Sequence, residues 1–242
     1  MWLNANWCYD KLIYQLIQTF LSTSTKGICL NQGVSMERIF ANLYRIGAPN
    51  RRGASYTYLL VRKEGNVLVC HQTRPSDEDI DKIGQLGGID SQWVCHNHDT
   101  VGDGFHEDMH ARFGCMIHHH RDERKAVRRK TKCPEVQYGD EGLQLGSDFE
   151  AFYFPACTVG HSVFRWRYRG KYYLFTSHAM YLHDNKWDIQ CRPHPEAAKL
   201  DKLQVDYVFP GYSEPDEDGF YRLNDQTRKS FSRALRAKLN AA

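Results

Sequence analysis

Apolar residues recur along the chain in two rhythms, one of period two and one of helical spacing. At Ser162–Arg169, Phe164, Trp166 and Tyr168 alternate with Val163, Arg165, Arg167 and Arg169. That alternation predicts a strand with one buried and one wet face. Arg169-Gly170-Lys171 turns the chain into a second strand, Tyr172–Thr176. Further strands are expected at Ile39–Ile46, Ser55–Val61, Val67–His71, Ser91–His96, Cys115–Ile117, Phe149–Phe154 and Val205–Phe209. Ser76-Asp77-Glu78 opens a helix with acidic residues in its first turn, and Gly87-Gly88 ends it. Helices are also expected at Asp103–Phe113, Asp122–Lys130, Pro195–Leu203 and Asn224–Leu239, the last with Phe231, Leu235 and Leu239 as its apolar stripe. Two successive strand-rich halves, each with helices, predict sheets packed face to face with helices outside.

Residues 1–35 follow a different pattern. Leu12, Ile13, Leu16, Ile17 and Phe20 lie at helical spacing within Tyr9–Leu21, and residues 22–35 read as a loop. This stretch is expected to be an N-terminal extension to a domain spanning 36–242, or a misassigned start with Met36 as the true first residue. No Lys or Arg precedes Lys11, so the basic opening of a secretory signal is missing. No apolar run reaches the roughly 18 residues of a membrane span, so no membrane partner is expected. A length of 242 residues with 41% hydrophobic content suffices for one sizeable core. A net charge of +3 is too small to imply nucleic acid or membrane. Eight cysteines occur, no two closer than eighteen positions, so no Cys-x-x-Cys pair exists. Free buried thiols and a cytoplasmic location are the expectation.

Histidine alters the picture. Seven of twelve histidines fall between His96 and His120. In Trp93-Val94-Cys95-His96-Asn97-His98-Asp99, His96 and His98 stand two apart just past a strand, so both imidazoles can face one ion. Zinc takes three or four such ligands, so another must come from elsewhere. Alone, the pair reads equally well as two surface histidines.

Four blocks in order extend the reading: Gly87-Gly88 with His96-Asn97-His98-Asp99; Pro155 to Gly160-His161-Ser162; Phe175-Thr176-Ser177-His178; and Pro210-Gly211-Tyr212. Together they resemble the metallo-β-lactamase superfamily. The resemblance implies an α/β fold, a four-layer αββα sandwich. It also implies a metal-dependent hydrolase whose metal-activated water attacks an ester, thioester or phosphoester of a small-molecule substrate. His96, His98 and His161 match the histidines of the first metal position. Departures surround the second. Thr100 and Val101 stand where the family has Asp-His, Ser177-His178 replaces its Gly-Asp, and Tyr212 replaces its last histidine. At most one ion is therefore expected, zinc first, with iron or manganese as alternatives. His178 is as readily a fourth ligand as a bystander. Asp99 has three open roles: replacement ligand, partner of a histidine, or catalytic base toward a metal-bound water. The competing function is a catalytically impaired relative acting as a binding or scaffold protein.

The remaining histidines read as structural. His106 and His110 fit a solvated helix face, and His118-His119-His120 fits a surface loop. His71 stands where relatives often carry an acid. Arg121–Lys132 holds seven basic and two acidic residues without interleaved aromatics, so a solvated helix is favoured over a nucleic-acid surface.

Overall fold

The structure is a computed structural model and describes residues 36–47, 55–71, 73–183, 186–211 and 218–240. The helix and loop expected within 1–35 lie outside these residues, as does Tyr212. Period-two segments pair into two main sheets. In the first, β1 (Met36–Phe40), β2 (Leu43–Ile46), β3 (Thr57–Leu60) and β4 (Val67–Cys70) form an antiparallel meander. Then β5 (Ser91–Val94), β6 (Met116–His120) and β7 (Glu135–Tyr138) add in parallel. Parallel neighbours need crossovers, and these are α1 (Asp77–Gln85), α2 (Phe105–Phe113) and α3 (Arg124–Lys130).

The second sheet uses β8 (Leu143–Leu145), β9 (Phe149–Tyr153), β10 (Ser162–Tyr168) and β11 (Lys171–Ser177). A hairpin, β12 (Met180–His183) with β13 (Lys186–Ile189), and the short α4 (Pro195–Ala198) follow. Strands β14 (Tyr207–Pro210) and β15 (Tyr221–Arg222) complete the sheet, and α5 (Asp225–Leu239) ends the described chain. The strand order is β15-β14-β11-β10-β9-β8.

Alternation sorts the side chains into layers. Val67, Val69 and Trp93 of the first sheet meet Phe149, Phe164, Trp166, Phe175 and Phe209 of the second. Their neighbours Leu59, Leu68 and Val94 point the other way, onto Ile80, Ile83, Phe105, Met109 and Val127 of α1, α2 and α3. Val163, Leu174 and Val208 face Ala197, Phe231 and Leu235 of α4 and α5. The result is the four-layer αββα sandwich that the resemblance implied. Ser76 caps α1: its hydroxyl accepts from the Asp79 amide at 3.1 Å, and the Asp79 carboxylate accepts from the Ser76 amide at 3.3 Å.

Two segments depart from the sequence reading. Ile39–Ile46 is not one strand but the hairpin of β1 and β2. Asn42 turns the chain there, because its side chain donates to Val61 O at 2.9 Å and its carbonyl accepts from the Val61 amide at 2.8 Å. The strand read as Cys115–Ile117 continues to His120. The expected surface loop is therefore a buried strand, with His118 7% exposed and His119 and His120 fully buried. Each ring has a partner: His118 stacks on Trp93, His119 Nε2 lies 3.1 Å from Glu135, and His120 stacks on Tyr153.

Candidate metal centre

Parallel strands of the first sheet end along one edge, and the candidate residues gather there. β5 runs into Cys95 and His96, and one tight helical turn, Asn97–Asp99, carries His98 and Asp99. The facing sheet supplies the rest. The turn between β9 and β10 carries Cys157 and His161, and His178 follows β11. The Ser162 amide donates to Cys95 O at 2.8 Å, tying the start of β10 to the end of β5. Glu123 braces both turns. One of its oxygens accepts from the Asn97 amide at 2.8 Å and the Asn97 side chain at 2.6 Å, and the other accepts from the Gly160 amide at 3.1 Å. Gly160 permits this approach, since a Cβ there would sit 2.8 Å from Glu123 Cγ.

His96 is the hub. Its ring centroid lies 4.8 Å from that of His98 and 4.9 Å from those of His161 and His178. Its Nδ1 donates to Asp99 Oδ2 at 2.9 Å, and Asp99 Oδ1 accepts from the Ser177 hydroxyl at 2.9 Å. Asp99 is 1% exposed, with both oxygens engaged. His161 Nδ1 donates to Phe154 O at 3.2 Å. The other ring nitrogens, Nε2 of His96 and Nε2 of His161, are buried without a hydrogen-bond partner among the described residues. Orphaned buried polar atoms are rare and call for a missing partner. Imidazole nitrogens are a ligand type that zinc prefers. The residues present therefore fit a metal ion.

Electrostatics follow the same pairs. Burial alone would depress His96, but the charge and hydrogen bond of Asp99 outweigh it and raise the imidazole to about 10. Burial would raise Asp99, yet the His96 charge and hydrogen bond hold it well below the usual carboxylate range. Burial, with the charge of His96 adding to it, pushes His161 well below its usual range. His98, exposed at the rim, is lowered by desolvation and by the nearby charges of His96 and Lys130.

The structure brings His96, His98 and His178 together, whereas His161, expected beside His96 and His98, flanks His96 outside that group. The group also includes Cys157, which the sequence reading passed over. The ligand atoms of His96, His98, Cys157 and His178 all lie within 4.8 Å of one another. Cys157 has no cysteine at ligand spacing, and its one sequence signal is its place four residues before His161. A deeper set, His71, Cys95 and Asp99, is equally close but wholly buried. There His71 Nδ1 donates to Tyr56 O at 2.8 Å. Lys130 was also missed as a site residue: its ammonium donates to Asn97 O at 2.7 Å, beside the His98 turn.

The expected solvated helix face at His106 is corrected. His106 is fully buried, bonded to Gln92 Oε1 at 2.8 Å and accepting from the Val101 amide at 3.0 Å, so it braces the loop before α2. His110 is half-buried, with Nδ1 on Cys115 O at 3.1 Å. The basic segment is partly neutralised, since Arg124 and Arg128 pair with Glu135 and Arg121 pairs with Asp140. No helix among the described residues is long and apolar enough to cross a membrane.

No protein-family model matches the sequence, and no curated protein matches it. Solved structures do. A metallo-β-lactamase of Cronobacter sakazakii, mutated in its HARLDQ motif, is 17% identical, with a TM-score of 0.57 over 86% of this chain and 97% of that one. DIM-1 metallo-β-lactamase exposed to ceftazidime is 10% identical, with a TM-score of 0.59 over 86% and 97%. MIM-2 metallo-β-lactamase is 16% identical, with a TM-score of 0.56 over 93% and 96%. Backbone likeness at such low identity speaks to architecture, and it agrees with the layers and the edge-located histidines: the chain has the metallo-β-lactamase fold.

Proposed function

We propose that the chain is a metal-dependent hydrolase working with one ion, held by His96, His98 and His161. The observation that carries this reading is the pair of buried, unpartnered Nε2 atoms on His96 and His161, whose rings lie 4.9 Å apart. Leaving a buried donor or acceptor unpaired costs about 1–3 kcal/mol, so two such atoms on neighbouring rings favour a bound ion as their missing partner. Ser177-His178 in place of Gly-Asp, and Thr100 and Val101 in place of Asp-His, support a single ion.

A zinc ion bound there would supply Lewis acidity and a water acidic enough to ionise near about pH 7. Iron would also suit imidazole ligands, whereas manganese favours carboxylate and water oxygens and is the poorer match. The chain's own residues prepare the site. Asp99 holds the Nδ1 proton of His96, which leaves Nε2 as the nitrogen that would bind an ion in place of its proton. With both oxygens engaged, Asp99 acts through His96 as a positioning residue, not on the attacking water. Lys130 places a cation beside the His98 turn, suited to the anionic end of a small ester, thioester or phosphoester. The free cysteines, four of them buried, suit a reducing compartment such as the cytoplasm.

A binding or scaffold role is the second reading. It is favoured by the crowding of donors around His96, since four protein ligands would leave no open position. Hydrolysis of 4-nitrophenyl acetate and bis(4-nitrophenyl) phosphate separates the two. The hydrolase reading expects turnover that a chelator stops, zinc restores and His161→Ala loses. Turnover indifferent to both chelator and His161→Ala, or no turnover by the zinc-loaded protein, contradicts it.

A further inference from the structure

Five candidate ligands meet here: His96 as the hub, with His98, His161, His178 and Cys157 around it. One tetrahedral ion takes four ligands, so the donors exceed the places. The mutually close four are His96, His98, Cys157 and His178, within 4.8 Å. His161 stands outside that set, on a ring 4.9 Å from His96.

We propose that Cys157 is a metal ligand, and that its thiolate closes the ion together with His96, His98 and His178 in the resting protein. The proposal rests on the metal-binding part of the function proposed above and adds a second ligand set to that site. The open set is His96, His98 and His161. The closed set shares His96 and His98 but trades His161 for Cys157 and His178. The mutual closeness of the four ligand atoms singles out the closed set, and three observations accompany it. The Nε2 of His96 is fully buried and unpartnered. Cys157 is exposed, whereas Cys70, Cys95, Cys115 and Cys133 are buried in the core clusters. The turn that carries it is braced to the His98 turn through Glu123.

The chemistry balances without any redox partner. The S–H proton leaves to water, the sulfur lone pair forms the bond to the ion, and no electron changes owner. A set of three imidazoles and one thiolate selects zinc or cobalt over magnesium and manganese. It also makes the site sensitive to thiol reagents, because capping Cys157 returns the ion to the open set.

The test is a cobalt(II) titration of the chelator-stripped full-length protein, beside alkylation of the same protein by iodoacetamide with and without zinc. The expected result is a near-ultraviolet thiolate-to-cobalt charge-transfer band that is lost in Cys157→Ser while cobalt still binds. Zinc is expected to protect Cys157 from alkylation, read by peptide mass spectrometry. Cobalt bound by the wild type without the band, or a band that persists in Cys157→Ser, overturns the thiolate ligand and leaves the metal reading standing. A wild-type protein that binds no cobalt overturns both.

Discussion

The Asp99 carboxylate accepts the Nδ1 proton of His96 at 2.9 Å while its other oxygen accepts from Ser177, so one buried acid joins the β5 edge to the end of β11. Losing this acceptor releases the His96 ring. Asp99→Asn is expected to weaken zinc binding by about 10–100-fold, the range for a lost partner of a ligating histidine. Competition with a chromophoric chelator reads this directly. Affinity equal to wild type would show that Asp99 does not orient His96.

Ser177 has φ +46, a left-handed backbone unusual for a side chain other than glycine. It stands where the resembled family carries glycine. Two substitutions separate the backbone from the hydroxyl. Ser177→Gly relieves the strain and loses the bond to Asp99; Ser177→Ala loses the bond and keeps the strain. The alanine variant is expected to be less stable than the glycine variant by about 1 kcal/mol in urea denaturation. Equal stabilities would show that the strain is absent.

Burial pushes both His106 and His118 down to about 4. In the unfolded chain they protonate near 6.5. Between pH 6.5 and 4 the unfolded state therefore binds more protons, and stability falls as pH falls. Each group contributes up to about 1.4 kcal/mol per pH unit in that window. His118→Phe keeps a ring on Trp93 and removes the titration. Urea denaturation of metal-free protein should show a shallower acid slope for this variant, and an unchanged slope contradicts the assignment.

Glu123 is 3% exposed and accepts from Asn97 and Gly160 across the two ligand-bearing turns. Glu123→Gln gives up the charge and part of the acceptor capacity. A loss of roughly 2 kcal/mol is expected, since bonds to charged groups are worth about 1.5–3 kcal/mol each. Zinc affinity should fall with it, because both turns loosen. A variant as stable and as zinc-avid as wild type would remove Glu123 from the site's framework.

Opening the site should also show in rate. Cys157→Ser is expected to hydrolyse 4-nitrophenyl acetate faster than wild type, because serine is a weak ligand that leaves a position for water. A slower variant would mean that the thiol is not what closes the site.

Local pattern carried the layers of the fold. The alternation Phe164, Trp166, Tyr168 against Arg165 and Arg167 is visible because one face of β10 meets the opposite sheet and the other faces outward. It failed where distant partners decide. His118, His119 and His120 look like a polar loop, yet Trp93, Glu135 and Tyr153 bury and satisfy them. Asn42 turns the chain through bonds to Val61, nineteen positions on. At the site, His96 and His98 were legible from spacing, and His161 and His178 from the resemblance. Cys157 was not, because a lone cysteine gains meaning only once β9 and β10 fold its turn against His96.

Metal content bears most directly on the single-ion site. Elemental analysis of the purified protein, with His96→Ala alongside, is expected to give about one equivalent of zinc, or of iron in its place, in the wild type. His96→Ala should carry almost none, since His96 belongs to both ligand sets. A wild type free of metal after supply with zinc, or a His96→Ala variant that binds as much, would contradict a metal centre on this hub.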